Sequence, residues 1–129
     1  MSNKNQSISK SSPELVQPFN SILEVGKATP EQITEWKKQY GEGQIQVLKV
    51  KISENETALA YLKPVGRDVA AKAMSLYAEK QIIQTGEFII NNCWLGGDDR
   101  IKTNEKVSMA AAVQANALVE FLETSVEKL

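Results

Sequence analysis

The residues best suited to chemistry stand together in one short stretch, NNCWLGGDDRIKT, at positions 91–103. This stretch holds the single cysteine of the chain, Cys93, together with two glycines and the adjacent carboxylates Asp98 and Asp99. A thiol can act as a nucleophile, paired carboxylates can bind a divalent cation, and glycine-rich backbone can approach a phosphate. Three kinds of site therefore have to be weighed here: a nucleophile, a metal loop and a phosphate loop.

Each of these three kinds of site needs further residues that the sequence does not supply. The chain contains no histidine, which removes the commonest base for a nucleophilic cysteine and the commonest metal ligand. The aspartates lack the alternating pattern of a calcium loop, and the glycine pair lacks the lysine and hydroxyl residue of a P-loop. We therefore predict no catalytic residue, no metal and no cofactor. The stretch is interpreted as a structural corner, in which the glycines turn the chain, the tryptophan anchors it to the core and Arg100 pairs with an aspartate; its members are Cys93, Trp94, Gly96, Gly97 and Asp98.

Composition and charge narrow the class of protein further. The chain has 129 residues, of which 42% are hydrophobic and 24% are charged, which is typical of one globular domain. Its formal net charge is −1 and its basic residues are scattered, so nucleic acid is not an expected partner. No apolar run approaches the roughly 18 residues that a membrane span needs, and the first residues lack the apolar segment of a secretory signal. A single cysteine suits a reducing compartment.

The chain divides into two parts at about residue 28. Residues 1–12 are mostly polar and predict a flexible tail, because they offer little apolar surface to bury. Apolar residues recur at spacings of three and four after that, which indicates a short helix over 13–25. We therefore expect a flexible N-terminal segment over 1–28 and a single globular domain over 29–129.

Within 29–129, local signals predict helices gathered around one β-hairpin. Thr29-Pro30-Glu31-Gln32 has the pattern of a capping box with proline at the first helical position. Residues 44–52 and 57–62 read as two strands joined by a short polar turn, and hence as an antiparallel hairpin. The apolar spacing over 67–82 predicts a helix. The fold class predicted is α+β, a small antiparallel hairpin packed by about four helices.

The second half of the domain is expected to be helical. The apolar run FIINNCWL over 88–95 could be a strand by composition, but a short helix is favoured because turn residues follow it directly. Either Thr103 or Asn104 caps a long C-terminal helix. Its alanine-rich stretch over 109–117 allows close packing within the domain, and on an exposed face it would suit a partner helix.

Five apolar residues are candidates for contacts with a partner protein. Aromatic side chains and methionines are enriched at protein interfaces, although both are also common in cores. The candidates are Trp36, Tyr40, Met74, Met109 and Phe121.

The chain also resembles a family of small proteins from phages and prophages of Bacteroidetes, which look like tail assembly chaperones. The resemblance covers about residues 29–129: ITEWKKQYG, a hairpin ending AYLKP, an alanine-bearing helix, NNCWLGGDDRIKT and a terminal helix. Its most specific element is the string Asn91–Asp98, with Trp36–Gly41 as second support. Two segments depart from the family pattern: KPVGRD, where a more basic segment is expected, and MAAAVQANA, where relatives are more mixed.

The resemblance implies a non-enzymatic protein of the host bacterial cytoplasm. Tail assembly chaperones bind the long, aggregation-prone tape-measure protein during tail assembly and recruit the tail-tube protein. Those two proteins are the partners expected here, homo-oligomerisation remains open, and neither nucleic acid nor membrane is expected. Two alternatives stay open: a virion structural or head–tail adaptor protein, and a small enzyme that uses carboxylates such as Asp98, Asp99 or Glu87.

Overall fold

A computed structural model describes the backbone of residues 21–127 and the side chains of residues 21–119. Helices and a mixed sheet make up an α+β fold, which confirms the predicted class and the long C-terminal helix. In chain order the elements are β1 (Leu23–Val25), α1 (Pro30–Tyr40), β2 (Gln46–Ser53), β3 (Glu56–Leu62), α2 (Arg67–Ala78), α3 (Ile82–Cys93), β4 (Trp94–Gly97), α4 (Arg100–Thr103) and α5 (Glu105–Glu127).

The central strand of the sheet is β3. Strand β2 runs antiparallel along one edge of β3, from Gln46 opposite Leu62 to Ser53 opposite Glu56, which confirms the predicted hairpin. The other edge of β3 is divided, because β1 pairs in parallel with its first half and β4 pairs antiparallel with its second half. The sheet is thus four-stranded and mixed rather than a lone hairpin.

Helices cover both faces of this sheet. Alternate residues of β3 point to opposite faces, so Ala58, Ala60 and Leu62 enter a large core with α2, α3 and α5. Leu59 and Tyr61 point the other way, towards Ala28 and residues of α1. The larger core also contains Leu48, Val50, Ala73, Ile89, Ile90, Cys93, Ile101, Ala111, Ala115 and Val119.

Helices α3 and α5 pack closely and antiparallel. A Cβ atom at Gly86 would overlap the backbone carbonyl of Ala112, so only glycine fits where the two helices cross. One turn further along α3, Ile90 lines the same cavity as Ser108, one turn earlier on α5. The crossing at Gly86 therefore sets the distance between the two helices of the main core.

Both predicted helix caps are present. At the start of α1 the Thr29 hydroxyl accepts from the Gln32 N–H at 3.1 Å, and the Gln32 side chain accepts from the Thr29 N–H at 2.9 Å. Of the two candidates before α5, Asn104 is the cap, since its Oδ1 accepts from the Val107 N–H at 3.1 Å.

The expected boundary at residue 28 is wrong, and so is the end of the helix expected over 13–25. Residues 23–25 form strand β1 rather than helix, because they pair with Glu56, Thr57 and Ala58 of β3. Ala28 is buried beneath α1 and also belongs to the domain. The rest of the predicted helix, up to residue 20, lies outside the described residues.

Two further helix ends differ from the sequence prediction. The helix predicted over 67–82 ends at Ala78, and Lys80 follows in a left-handed conformation with φ 63°. The run over 88–95 belongs to a longer helix, α3, which ends at Cys93, after which Trp94 begins strand β4. Within the described part of the chain, no helix has the length and apolar character needed to cross a membrane.

Candidate functional site

The corner over residues 93–104 joins α3 to α5 through a strand and a short helix. Gly97 has φ 147° and lies against the backbone of Leu59 and Ala60, so the turn requires glycine at this position. Gly96 has no positive φ, and a Cβ there would meet only the Trp36 ring at 3.6 Å. Both glycines belong to β4, and of the two only Gly97 adopts the positive φ that the predicted turn uses.

An ion-paired cluster closes the corner. The Asp98 carboxylate is 7% exposed and accepts from the backbone N–H of Arg100 at 2.9 Å. The Arg100 guanidinium donates to both Asp98 oxygens, with Nη2 at 2.7 Å from Oδ2, and the same Nη2 lies 2.6 Å from Glu56 Oε2. Since Glu56 begins β3, the cluster fixes the start of α4 to the central strand, and the predicted pairing of Arg100 with an aspartate is confirmed.

In this cluster the Asp98 carboxylate is ionised, and both of its oxygens accept hydrogen bonds from Arg100. Hydrogen bonds from the Arg100 side chain hold the pKa of Asp98 below its ordinary value of 3.8, against the opposing effect of burial. A general acid needs the reverse, a carboxyl whose pKa is raised towards neutrality. Asp99 is exposed, and among the described side chains no three of histidine, cysteine, aspartate or glutamate lie together as a metal site.

Cys93 is a core residue. Its side chain is 1% exposed and packs within the main core. Burial raises the pKa of the thiol above its ordinary value of 9.0, and the positive charge of Lys63 lowers it by a smaller amount. A nucleophilic cysteine needs the opposite, a lowered pKa and access to solvent. The thiol therefore behaves as a small apolar group.

Trp94 fastens the corner to the main core. Its side chain is half-buried and packs against the core residues, as the sequence predicts. The Nζ atom of Lys102 lies 4.7 Å from the ring centroid, so a cation–π contact also ties α4 to β4.

Trp36 of α1 and Tyr61 of β3 line a groove on the opposite face of the sheet. The Trp36 ring lies 5.3 Å from the Tyr61 ring, and the Tyr61 hydroxyl accepts from the Ala28 N–H at 3.2 Å. Trp36 and Tyr61 line a cavity of about 240 Å³ together with Gly26, Lys27, Ala28, Gln32, Gly96 and Gly97. Both Trp36 and Tyr40 are half-buried, so Trp36 contributes to packing as well as to this groove.

The three other candidate contact residues lie in different surroundings. Met74 is half-buried and packs against the main core. Met109 is 46% exposed, as a contact residue would be. The side chain of Phe121 lies outside those that the structure describes.

The outer face of α5, defined by Met109, Ala110, Val113 and Ala117, is apolar and exposed. Met109 and Val113 are 46% and 55% exposed, and both alanines are also exposed. Spacings of three and four place the four residues in one stripe, and residues 107–119 contain no charged side chain. On the opposite side of the helix Ala111, Ala112 and Ala115 are fully buried.

Sequence reasoning missed three residues around this face. Ile82 of α3 is 46% exposed and, from the antiparallel packing of α3 and α5, lies level with Asn116. Asn116 is 7% exposed, and its Oδ1 has no hydrogen-bond partner among the described residues. Gln114 bonds both the N–H and the carbonyl of Lys49 in β2. Helical spacing from Met109 indicates that residues 113, 114 and 116 lie on or beside the outer face of α5. It does not indicate which other element of the fold lies next to each of them.

Over the residues that the structure describes, the molecule is thus an α+β domain with a hydrogen-bonded corner and an exposed apolar face on α5. Comparison of the chain with protein-family models, curated proteins and solved structures finds no match.

Proposed function

We propose that this protein is a phage tail assembly chaperone, a non-enzymatic factor that holds an apolar helical segment of the tape-measure protein against the outer face of α5. The observation that carries the proposal is the exposure of Met109 and Val113 on a face without charge. A monomeric protein seldom exposes a contiguous apolar stripe unless something covers it. A helix laid along such a stripe is a common mode of peptide recognition.

The enzyme alternative has less support than the binding role. Asp98 is bound to Arg100, and Glu87 lines a separate cavity with Ile90, Asn91, Ile101, Lys102 and Ser108. Neither Asp98 nor Asp99 lines that cavity.

Co-expression with the tape-measure protein from the same phage tests the proposal. We expect the wild-type chain to keep that protein soluble and to co-purify with it, and a Val113→Glu variant to lose both effects. Ala71→Glu is the matched control, since Ala71 is also exposed but belongs to α2 rather than to the stripe on α5. A Val113→Glu variant that retains full binding would contradict the proposal.

The protein composition of the mature phage particle distinguishes a chaperone from the alternative, a structural protein of the virion. We expect mass spectrometry of purified phage to find the tape-measure protein without this chain. Stoichiometric amounts of this chain in mature particles would instead support a structural or head–tail adaptor role.

A further inference from the structure

The aromatic groove, lined by Trp36 and Tyr61, contains a glycine that the backbone does not require. Gly26 and Gly97 also line the groove, but both have positive φ, and a Cβ on either would lie 2.3 Å or 2.4 Å from backbone atoms. Gly96 has neither restriction, since a Cβ there would meet only the Trp36 ring at 3.6 Å. A side chain at position 96 would therefore lie beside that ring, and glycine leaves the ring accessible from the groove.

A buried hydroxyl in the aromatic groove has a hydrogen to donate. Tyr61 is 6% exposed, and its hydroxyl oxygen accepts the Ala28 N–H at 3.2 Å. Both residues line the groove, and no described residue accepts the hydrogen of this hydroxyl. Buried polar groups in folded proteins are usually hydrogen-bonded. The Tyr61 hydroxyl therefore indicates a ligand that supplies an acceptor.

The only charge among the described residues that line the groove is positive. It belongs to Lys27, whose side chain is 66% exposed and whose Nζ lies 3.7 Å from Glu24 Oε1. Because this ion pair is long and exposed, the three N–H donors of the ammonium can also hold a second carboxylate. Gln32 adds a neutral donor, since its oxygen accepts the Thr29 N–H while no described residue accepts from its NH2 group. Aromatic walls with donors and without a carboxylate suit an anionic ligand.

We propose that the aromatic groove binds the C-terminal residue of a peptide chain, with its side chain against Trp36 and its carboxylate held by Lys27 and the Tyr61 hydroxyl. The cavity of about 240 Å³ is smaller than the roughly 300–1,000 Å³ of a small-molecule site and has room for about one aromatic residue. Only the last residue of a peptide combines an aromatic side chain with a carboxylate. Capture of a terminal carboxylate is one of the recurring modes of peptide recognition.

This inference does not rest on the proposed function, because the two surfaces lie on opposite faces of the sheet. Tyr61 belongs to the smaller core with residues of α1, whereas the buried side of α5 belongs to the main core. We expect a Val113→Glu variant to bind a peptide C-terminus as the wild type does. Failure of the groove to bind would leave tape-measure binding by α5 standing, and the converse also holds.

Titration of the isotope-labelled full-length protein with N-acetyl-phenylalanine, followed by NMR, tests the proposal. We expect the indole N–H signal of Trp36 to shift with a dissociation constant of about 0.1–1 mM, and that of Trp94, which packs on the main core, to stay in place. The matched ligand N-acetyl-phenylalaninamide lacks the negative charge, so we expect it to bind about tenfold more weakly. Equal binding of acid and amide overturns the proposal.

Two further outcomes of this titration would also contradict the proposal. Phenylacetate that binds as tightly as N-acetyl-phenylalanine would assign the groove to a free aromatic acid instead of a peptide end. A Trp36 signal that does not move up to about 10 mM ligand overturns the proposal as well, including the case in which residues 1–20 occupy the groove.

Variants of the groove identify the groups that hold the ligand. We expect Lys27→Met and Tyr61→Phe to weaken binding of N-acetyl-phenylalanine about tenfold each, because each removes one donor to the carboxylate. Lys38→Met is the matched control, since Lys38 is exposed on α1 and does not line the groove. Gly96→Ala places a methyl group beside the Trp36 ring, and we expect it to weaken binding about fivefold without unfolding the protein. Wild-type binding by both Lys27→Met and Gly96→Ala overturns the proposal.

Discussion

The corner over residues 93–104 and the outer face of α5 are neighbours in the chain, but their side chains are used differently. In the corner, Asp98, Arg100 and Asn104 bond to each other or to nearby backbone, and Cys93 is enclosed by the core. On the outer face the apolar side chains are exposed, and none of the described residues covers them. The residues that suggest catalysis or metal binding in the sequence therefore stabilise the fold. The alanine-rich segment of α5 instead forms the exposed apolar surface to which a partner could bind.

The largest effect is expected where the core and the outer face share a helix. In a Gly86→Ala variant the added Cβ would overlap the Ala112 carbonyl and force α3 and α5 apart. We therefore expect the free energy of unfolding to fall by about 3 kcal/mol or more. Urea unfolding measures this loss. Gly96→Ala is the control, because a Cβ there meets the Trp36 ring at an ordinary 3.6 Å, and we expect a change within about 0.5 kcal/mol. Equal losses in the two variants would mean that the crossing at Gly86 does not control the packing.

The next effect tests whether the corner is anchored by its tryptophan. Trp94→Ala removes a half-buried ring from the margin of the main core, and we expect a loss of about 3 kcal/mol. Lys102→Ala removes only the cation over that ring, so we expect it to lose less than about 1 kcal/mol. Thermal unfolding of both variants provides the comparison. A Trp94→Ala variant as stable as the wild type would show that the ring is a surface contact instead.

The ion-paired cluster predicts a dependence of stability on pH. The pKa of Asp98 is lowered in the folded protein, so its stabilising effect is complete above about pH 4 and is lost as the pH falls through the folded pKa. At neutral pH we expect Asp98→Asn to lose about 1–3 kcal/mol, and we expect that difference from the wild type to shrink below pH 4. Asp99→Asn is the adjacent control and should change stability by less than about 0.5 kcal/mol. A constant difference down to pH 2 would rule out the cluster as its source.

A smaller effect concerns the tie between α5 and the edge of the sheet. Gln114 bonds both backbone groups of Lys49, so we expect Gln114→Leu to lose about 1 kcal/mol and to speed hydrogen exchange at the Lys49 amide. The same substitution at the exposed Gln84 of α3 is the control. Unchanged exchange at Lys49 would show that the bond does not hold α5 to β2.

Elements coded by neighbouring residues were predictable from the sequence. The capping box at Thr29, the hairpin of β2 and β3, and the cap at Asn104 depend on residues a few positions apart. The ion pair of Asp98 with Arg100 has the same local character. These features follow from short-range hydrogen bonding and from alternation of apolar residues, which the sequence displays directly.

Elements that depend on distant partners were not predictable in the same way. Strand β1 has three residues and exists because it pairs with β3, and β4 contains two glycines, which have low strand propensity. Gly86 lies inside a helix because α5 passes at that point, and nothing near it in the sequence shows this. Among the candidate contact residues, the sequence could not separate exposed Met109 from half-buried Met74, since both lie on helices with similar spacing.

Binding of the tape-measure protein by Val113→Glu and Asp99→Asn, measured side by side, tests the central contrast between the two regions. Both residues are exposed, so neither variant is expected to unfold. If α5 supplies the working surface and the corner is architecture, Val113→Glu loses at least about tenfold in affinity while Asp99→Asn binds as the wild type does. Full binding by Val113→Glu together with loss of binding by Asp99→Asn would contradict the account.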